Sequence, residues 1–261
     1  MNTNEYRQTH QQAPKQMIFG LHPVMEALEA GREMNKVLLR RGMEGDSYKR
    51  LQALLQRHDI PVQIVPPEKL DRVTRKNHQG VIAFISPVEY ARVEHLVPAL
   101  FESGKNPLIV VCDGITDTRN IGAIARSAEC AGAHALLLPA KGSAMLSADA
   151  VKTSAGALNH LAVCRTEHLK STLLFLKNSG LKIIAATEKA SVAYHEADLS
   201  CPAVLLLGAE DTGISPECLR LADVIVKIPV QGKILSLNVS AAATVLLFEM
   251  LRQNTGAKNR Q

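Results

Sequence analysis

Tryptophan is absent from the 261 residues, and aromatic side chains make up only 3% of them. Proteins that grip single strands mainly by base stacking carry more aromatic surface, so any nucleic-acid recognition is expected to rest on phosphate contacts and shape. No uninterrupted run of about 18 apolar residues occurs, which argues against a membrane-spanning helix. The opening stretch MNTNEYRQTHQQAPKQ is polar and has no apolar centre, so it does not read as a secretory signal. The expected compartment is the cytoplasm.

Several chemistries are missing as well. No G-x-G-x-x-G follows a strand-like run, and nothing fits G-x-x-x-x-G-K-[ST]. Nor is there an H-E-x-x-H or a G-x-S-x-G. Cys112, Cys130, Cys164, Cys201 and Cys218 are odd in number, far apart and without C-x-x-C spacing. His22, His78, His134, His160 and His195 form no ligand pattern either, so no metal is expected. A nicotinamide oxidoreductase is disfavoured by the missing glycine fingerprint.

What is present is a core-forming composition, 46% hydrophobic, with a net charge of +5. A modest basic excess suits a nucleic-acid partner without requiring one. Residues 1–16 read as a disordered tail. Over 17–90, short apolar runs alternate with amphipathic stretches: KVLLR, PVQIV and GVIAFI as strands, with helices near 23–28, 51–58 and 68–75. This predicts a small α/β domain. Residues 91–106 predict a connecting helix that serves as a linker. From 107 to 253, near-continuous apolar runs at 108–112, 135–138, 161–164, 181–186, 204–207 and 224–228 predict a parallel sheet covered on both faces. A closing helix is expected over 236–252, followed by a tail at 254–261.

Four clusters fall at the ends of predicted strands, the edge where open α/β sheets bind ligands. In DGITDTRNIGAIARSAE, Asn120 is placed to cap a helix, and Arg119 and Arg126 stand seven residues apart. Two guanidinium groups beside a helix N-terminus suit a phosphate; a solvated helix face fits the same residues. In LLLGAEDTGIS, Gly208 and Gly213 bracket Glu210 in a tight turn, which orients a ligand or is an ordinary strand–helix connection. VKIPVQGKILSLNVSAAATVLLFE leads through Ser236, Leu237 and Asn238 into the last helix. Ala185-Ala186-Thr187-Glu188 is the weakest of the four and reads as a turn.

Together, and in this order, the clusters resemble the SpoU (TrmH-like) branch of the SPOUT RNA methyltransferases. N-x-G-x-x-x-R is met by Asn120, Gly122 and Arg126, and G-x-E-x-x-G by Gly208, Glu210 and Gly213. I-P-x-x-G-x-x-x-S-L-N-V-S is met by Ile228, Pro229, Gly232 and residues 236–240. FGLHPVMEAL and NHQGVIA are similar to the small substrate-binding domain of 23S rRNA guanosine 2′-O-methyltransferases.

The resemblance implies an S-adenosylmethionine-dependent 2′-O-methylation of a guanosine in 23S rRNA, in the peptidyl-transferase region. It implies a C-terminal parallel-sheet domain with a deep trefoil knot, an N-terminal ribosomal-protein L30e-like α/β domain, and a homodimer. Thr187, Gly208, Glu210, Gly213, Ile228, Leu237 and Asn238 would hold the cofactor. Arg126, Asn120, Glu210, Ser236 and Asn238 would be catalytic, while Arg119, Arg126, His22, Asn77, His78 and Gln79 would meet RNA. Because a guanidinium does not deprotonate in proteins, Arg126 is read as phosphate clamp and alkoxide stabiliser rather than base. A tRNA guanosine 2′-O-methyltransferase and a non-catalytic RNA-binding ribosome-assembly factor are the alternatives.

Overall fold

A computed structural model describes residues 17–258, so the expected tail at 1–16 lies outside the described residues. The chain divides at Ser86/Pro87 into two compact units.

The first unit runs β1 (Met17–Phe19), α1 (Leu21–Glu29), β2 (Met34–Arg40), α2 (Asp46–Arg57), β3 (Val62–Val65), α3 (Pro67–Val73) and β4 (Val81–Ile85). Its sheet has the order β1-β4-β2-β3. Only the β2–β3 pair is parallel; β4 runs antiparallel to both its neighbours. Strand alternation sends Val37 and Leu39 to one face, where Val24, Leu28, Leu51 and Leu55 of α1 and α2 pack on them. Leu38, Val65 and Ile82 point the other way, onto Leu70 of α3.

The two sequence blocks that carry the resemblance in this unit meet at one corner. The Gly20 N–H donates to the Val81 carbonyl at 3.0 Å, and the Leu21 N–H donates to Gln79 Oε1 at 3.2 Å. The Gln79 side chain thereby satisfies an otherwise orphan donor at the start of α1.

The second unit adds β5 (Tyr90–Ala91), α4 (Val93–Glu102), β6 (Leu108–Asp113), α5 (Thr118–Cys130), β7 (Ala135–Pro139) and α6 (Ala148–Thr153). It continues with β8 (Ala162–Thr166), α7 (Leu169–Asn178), β9 (Lys182–Ala186) and β10 (Val192–Ala193). β11 (Ala203–Gly208), α8 (Pro216–Leu219), β12 (Val224–Lys227) and α9 (Val239–Lys258) complete it. The eight strands lie in the order β10-β12-β9-β11-β6-β7-β8-β5, and every pair is parallel. Alternate strand residues serve two cores. Val110, Leu136, Ile184 and Leu205 meet α5, α6 and α9, while Ile109, Leu137, Ile183 and Val204 meet α4 and α7. That double coverage is why the strands read as continuous apolar runs.

Three expectations are corrected. The 91–106 segment is no free linker, because Val93 and Val97 of α4 are buried in the second unit's core. The last helix starts at Val239, not 236, since Ile234 and Leu235 lie in an exposed loop before it. It then continues past 253: Asn254 Oδ1 accepts from the Cys201 N–H at 3.0 Å, which ties the expected tail into the fold.

Candidate active site

β6 and β11 are neighbours, and the chain leaves them in opposite directions across the sheet. At the C-terminal edge of β9, β11 and β12 lies a cavity of about 310 Å³. Crevices at such reversals of strand order are where parallel sheets bind ligands. Its walls include Leu207, Val226, Ile228, Val230, Leu235 and Leu237, with Thr187, Glu188, Glu210, Ser236 and Asn238 as the polar side chains. Mostly apolar walls with a few fixed polar groups suit a flat heterocycle carrying polar ends.

The loop after β11 owes its shape to two glycines. A Cβ on Gly208 would lie 2.2 Å from both the Gly213 carbonyl carbon and the Ile214 nitrogen, so only glycine lets the loop fold back there. Gly213 sits at φ +69°, which side-chain-bearing residues rarely adopt. The Gly213 N–H donates to the Ala209 carbonyl at 2.9 Å, closing the loop around Glu210. Its far end is pinned by Asp113 at the tip of β6, whose Oδ2 accepts from the Ser215 N–H at 2.7 Å.

Glu210 collects donors from two other motifs. Its Oε1 accepts from Asn120 Nδ2 at 3.2 Å, from Asn238 Nδ2, and from the Val239 N–H at 3.4 Å. Asn238 also donates to Asn120 Oδ1 at 3.0 Å. Its own Oδ1 accepts from the Ser240 N–H at 2.9 Å, capping α9. That cap fixes the amide's orientation, so the Nδ2 must face the carboxylate. A third tie joins the helices that carry these amides, between Ser127 and Thr244 hydroxyls at 2.7 Å.

All seven expected cofactor residues (Thr187, Gly208, Glu210, Gly213, Ile228, Leu237 and Asn238) line the one cavity, and Ser236 joins them. Asn120 and Arg126 do not line it. Asn120 is not the cap of α5 either: the helix begins at Thr118, and Asp117 Oδ1 caps it by accepting from the Arg119 N–H at 2.8 Å. Asn120 therefore sits inside the first turn, which is what turns its side chain toward Glu210.

Arg126 is exposed and makes no hydrogen bond or ion pair among the described residues. Arg119 is exposed and lies 3.8 Å from Asp117. Gly122 is explained by packing, since a Cβ there would stand 2.7 Å from the Ala150 carbonyl oxygen.

In the first unit, His22 and Asn77 are exposed. His78 is tied into the fold from both ring nitrogens. The Gly80 N–H donates to its Nδ1 at 3.0 Å, so its Nε2 carries the proton and donates to Asp71 at 3.0 Å. Gln79 holds α1 in the same way.

Sequence reasoning overlooked Asp113, Val230 and Leu235. The signal for Leu235 was an apolar run, KILSL, between a Gln-Gly turn and the last helix; Val230 stands alone between Pro229 and Gln231. The Asp113 contact joins residues 102 apart and left no local trace.

Residues 107–248 match the SpoU rRNA methylase family, and residues 17–91 match the substrate-binding family of RNA 2′-O-ribose methyltransferases. A Staphylococcus saprophyticus protein assigned to the TrmH family of tRNA/rRNA methyltransferases is 32% identical, over 91% of this chain and 95% of its own. The AdoMet-bound rRNA methyltransferase of Sinorhizobium meliloti superimposes with a TM-score of 0.58 at 26% identity, over 90% of this chain and 86% of that one. A TrmH/SpoU tRNA-modifying enzyme of A. aeolicus gives a TM-score of 0.54 at 31% identity, over 63% of this chain and 85% of its own. The chain belongs to the SpoU rRNA methylase family of RNA 2′-O-ribose methyltransferases, whose methyl donor is S-adenosylmethionine.

Proposed function

We propose that this enzyme methylates the ribose 2′-OH of a guanosine in 23S rRNA, in the peptidyl-transferase region, as a cytoplasmic homodimer. The observation that carries the choice of rRNA is the first unit: a separate α/β module matching the substrate-binding family precedes the catalytic domain. The tRNA-modifying neighbour aligns with only 63% of the chain. The TrmH-family relative keeps tRNA as the second reading, because its family takes in both substrates.

S-adenosylmethionine supplies an electrophilic methyl group on a positively charged sulfur. The cavity fits it chemically, with apolar walls for the adenine, hydroxyl and amide groups for polar edges, and a carboxylate for a cation. Thr187, Gly208, Ile228 and Leu237 would hold the adenosine. Glu210 and Asn238, locked by their mutual hydrogen bond, would order the reacting end, with Ser236 beside them.

Arg126 clamps the phosphate next to the target ribose and stabilises the oxygen as its negative charge develops. Its lack of any partner among the described residues supports delivery to the cavity of a second protomer. Ile234 and Leu235, 79% and 74% exposed, give that protomer an apolar surface to cover. The loops at 208–215 and 228–237, which share one cavity, would be the threaded strands of a trefoil knot, and the first unit an L30e-like module.

The test is methyl transfer to separate 23S rRNA and tRNA acceptors, with the modified nucleotide mapped. Incorporation into a 23S guanosine supports the proposal; incorporation into tRNA alone replaces it with the second reading.

A further inference from the structure

The sheet of the first unit has two unequal faces. Helices α1 and α2 cover one of them. Across the other, among the described residues of this unit, lies α3, seven residues long, supplying Leu70 and Val73 to a small cluster. Strand register sets Phe84 opposite both Met17 and Lys36, and Phe19 opposite Ile82, on this second face. Both phenylalanines stay half-buried rather than covered.

Each ring carries an ammonium. Lys36 Nζ stands 5.3 Å from the Phe84 centroid, and Lys76 Nζ stands 5.7 Å from that of Phe19. Burial, and then the charge of Lys69 on α3, push the Lys36 ammonium below the usual lysine range. Of the two carboxylates on α3, Asp71 is already taken by His78. So two of only five phenylalanines in the chain share one thinly covered face with three lysines. The low aromatic content argues against stacking along the whole chain; two of its nine aromatic rings stand side by side on this one face.

We propose that this face is a docking platform for a single-stranded segment of the substrate RNA, with bases stacking on Phe19 and Phe84 and phosphates meeting Lys36, Lys69 and Lys76. It rests on the reading of the enzyme as an RNA methyltransferase and names where its first unit holds RNA. Every base has a π-face, so rings on a sheet accept unstacked bases of any sequence. A phosphate between Lys36 and Lys69 offsets the repulsion between the two ammonium groups. The lysines, released from the rings, are the groups that reach it.

The experiment uses the full-length protein and a labelled single-stranded oligoribonucleotide of mixed sequence, titrated at several salt concentrations. F19L/F84L keeps apolar volume but removes the aromatic faces; affinity should fall about tenfold with the salt dependence unchanged. K36M/K69M/K76M keeps the stems and should reduce the slope of log affinity against log salt by about 2. If F19L/F84L fails to fold by thermal melting, the lysine variant carries the test, since Lys69 and Lys76 are exposed and methionine keeps the half-buried stem of Lys36.

Wild-type-like binding and salt slope in the folded variants overturn the platform. Methyl transfer to rRNA is measured in parallel: transfer with an unchanged RNA KM in both variants rejects the platform alone. No transfer by wild type to any RNA rejects the underlying function instead.

Discussion

The Asn238 side-chain amide donates to the Asn120 carbonyl oxygen at 3.0 Å, joining residues 118 apart in the chain. Both amides also donate to Glu210, so one residue from each of the three motifs enters a single network. In this network each motif supplies what another lacks. Two amide groups offer donors, one carboxylate accepts them, and the helix cap at Ser240 fixes which way the central amide points.

Asn238 therefore has two separable duties. Asn238→Ala should lose both methyl transfer and about 1 kcal/mol of stability, the usual cost of an N-cap. Asn238→Ser keeps a capping oxygen but offers Glu210 no amide; its melting temperature should stay near wild type while turnover falls. Equal loss of stability in both variants would mean that the cap contributes nothing.

Gly208 and Gly232 both belong to the motif pattern, yet their surroundings differ. Gly208→Ala drives a Cβ into the Gly213–Ile214 backbone and should abolish measurable S-adenosylmethionine binding by calorimetry. Gly232 has nothing nearer than the Ile234 nitrogen at 4.0 Å, so Gly232→Ala should change stability by less than about 0.5 kcal/mol.

Asp113 acts through the loop it pins rather than through the cavity, which it does not line. Asp113→Ala leaves the Ser215 N–H without its acceptor and should cost about 1–3 kcal/mol, seen as a raised KM for S-adenosylmethionine. Asp113→Asn retains an acceptor oxygen and should restore most of the affinity. An unchanged KM in Asp113→Ala would show that the loop holds its shape unaided.

The final helix also carries an acid-sensitive tie. A hydrogen bond from Arg252, with help from Gln253, lowers the Glu249 carboxyl to about 2. Its folded value lies below an unfolded value of about 4.3, so its stabilisation is complete above that range and fades as pH falls toward 2. Melting temperature followed over that window should drop less steeply in Glu249→Gln than in wild type.

Much of this was legible in the sequence, for identifiable reasons. Strands buried on both faces must be apolar throughout, so β6, β7 and β11 stood out as runs. Gly208, Glu210 and Gly213 were legible because a tight turn restricts which residues can occupy it. The two-residue strands β5 and β10 are too short to show a period. The cap at Asp117 was hidden because Asn120 is an equally good capping type and Thr118 an acceptable one, and only the geometry chooses among them. The His78–Asp71 pair was not legible, because a spacing of seven residues across a helix end and a loop does not fix which side chains meet.

The central claim is that the donated methyl group ends on a ribose oxygen of RNA, with the Glu210 cavity holding the donor. It is tested most directly by incubating the protein with rRNA and methyl-labelled S-adenosylmethionine, then hydrolysing the RNA in alkali. A methylated 2′-OH cannot assist cleavage of the adjacent phosphodiester, so the account predicts label in alkali-resistant dinucleotides, abolished by Glu210→Ala. Label recovered in mononucleotides as a methylated base, or undiminished in Glu210→Ala, would contradict it.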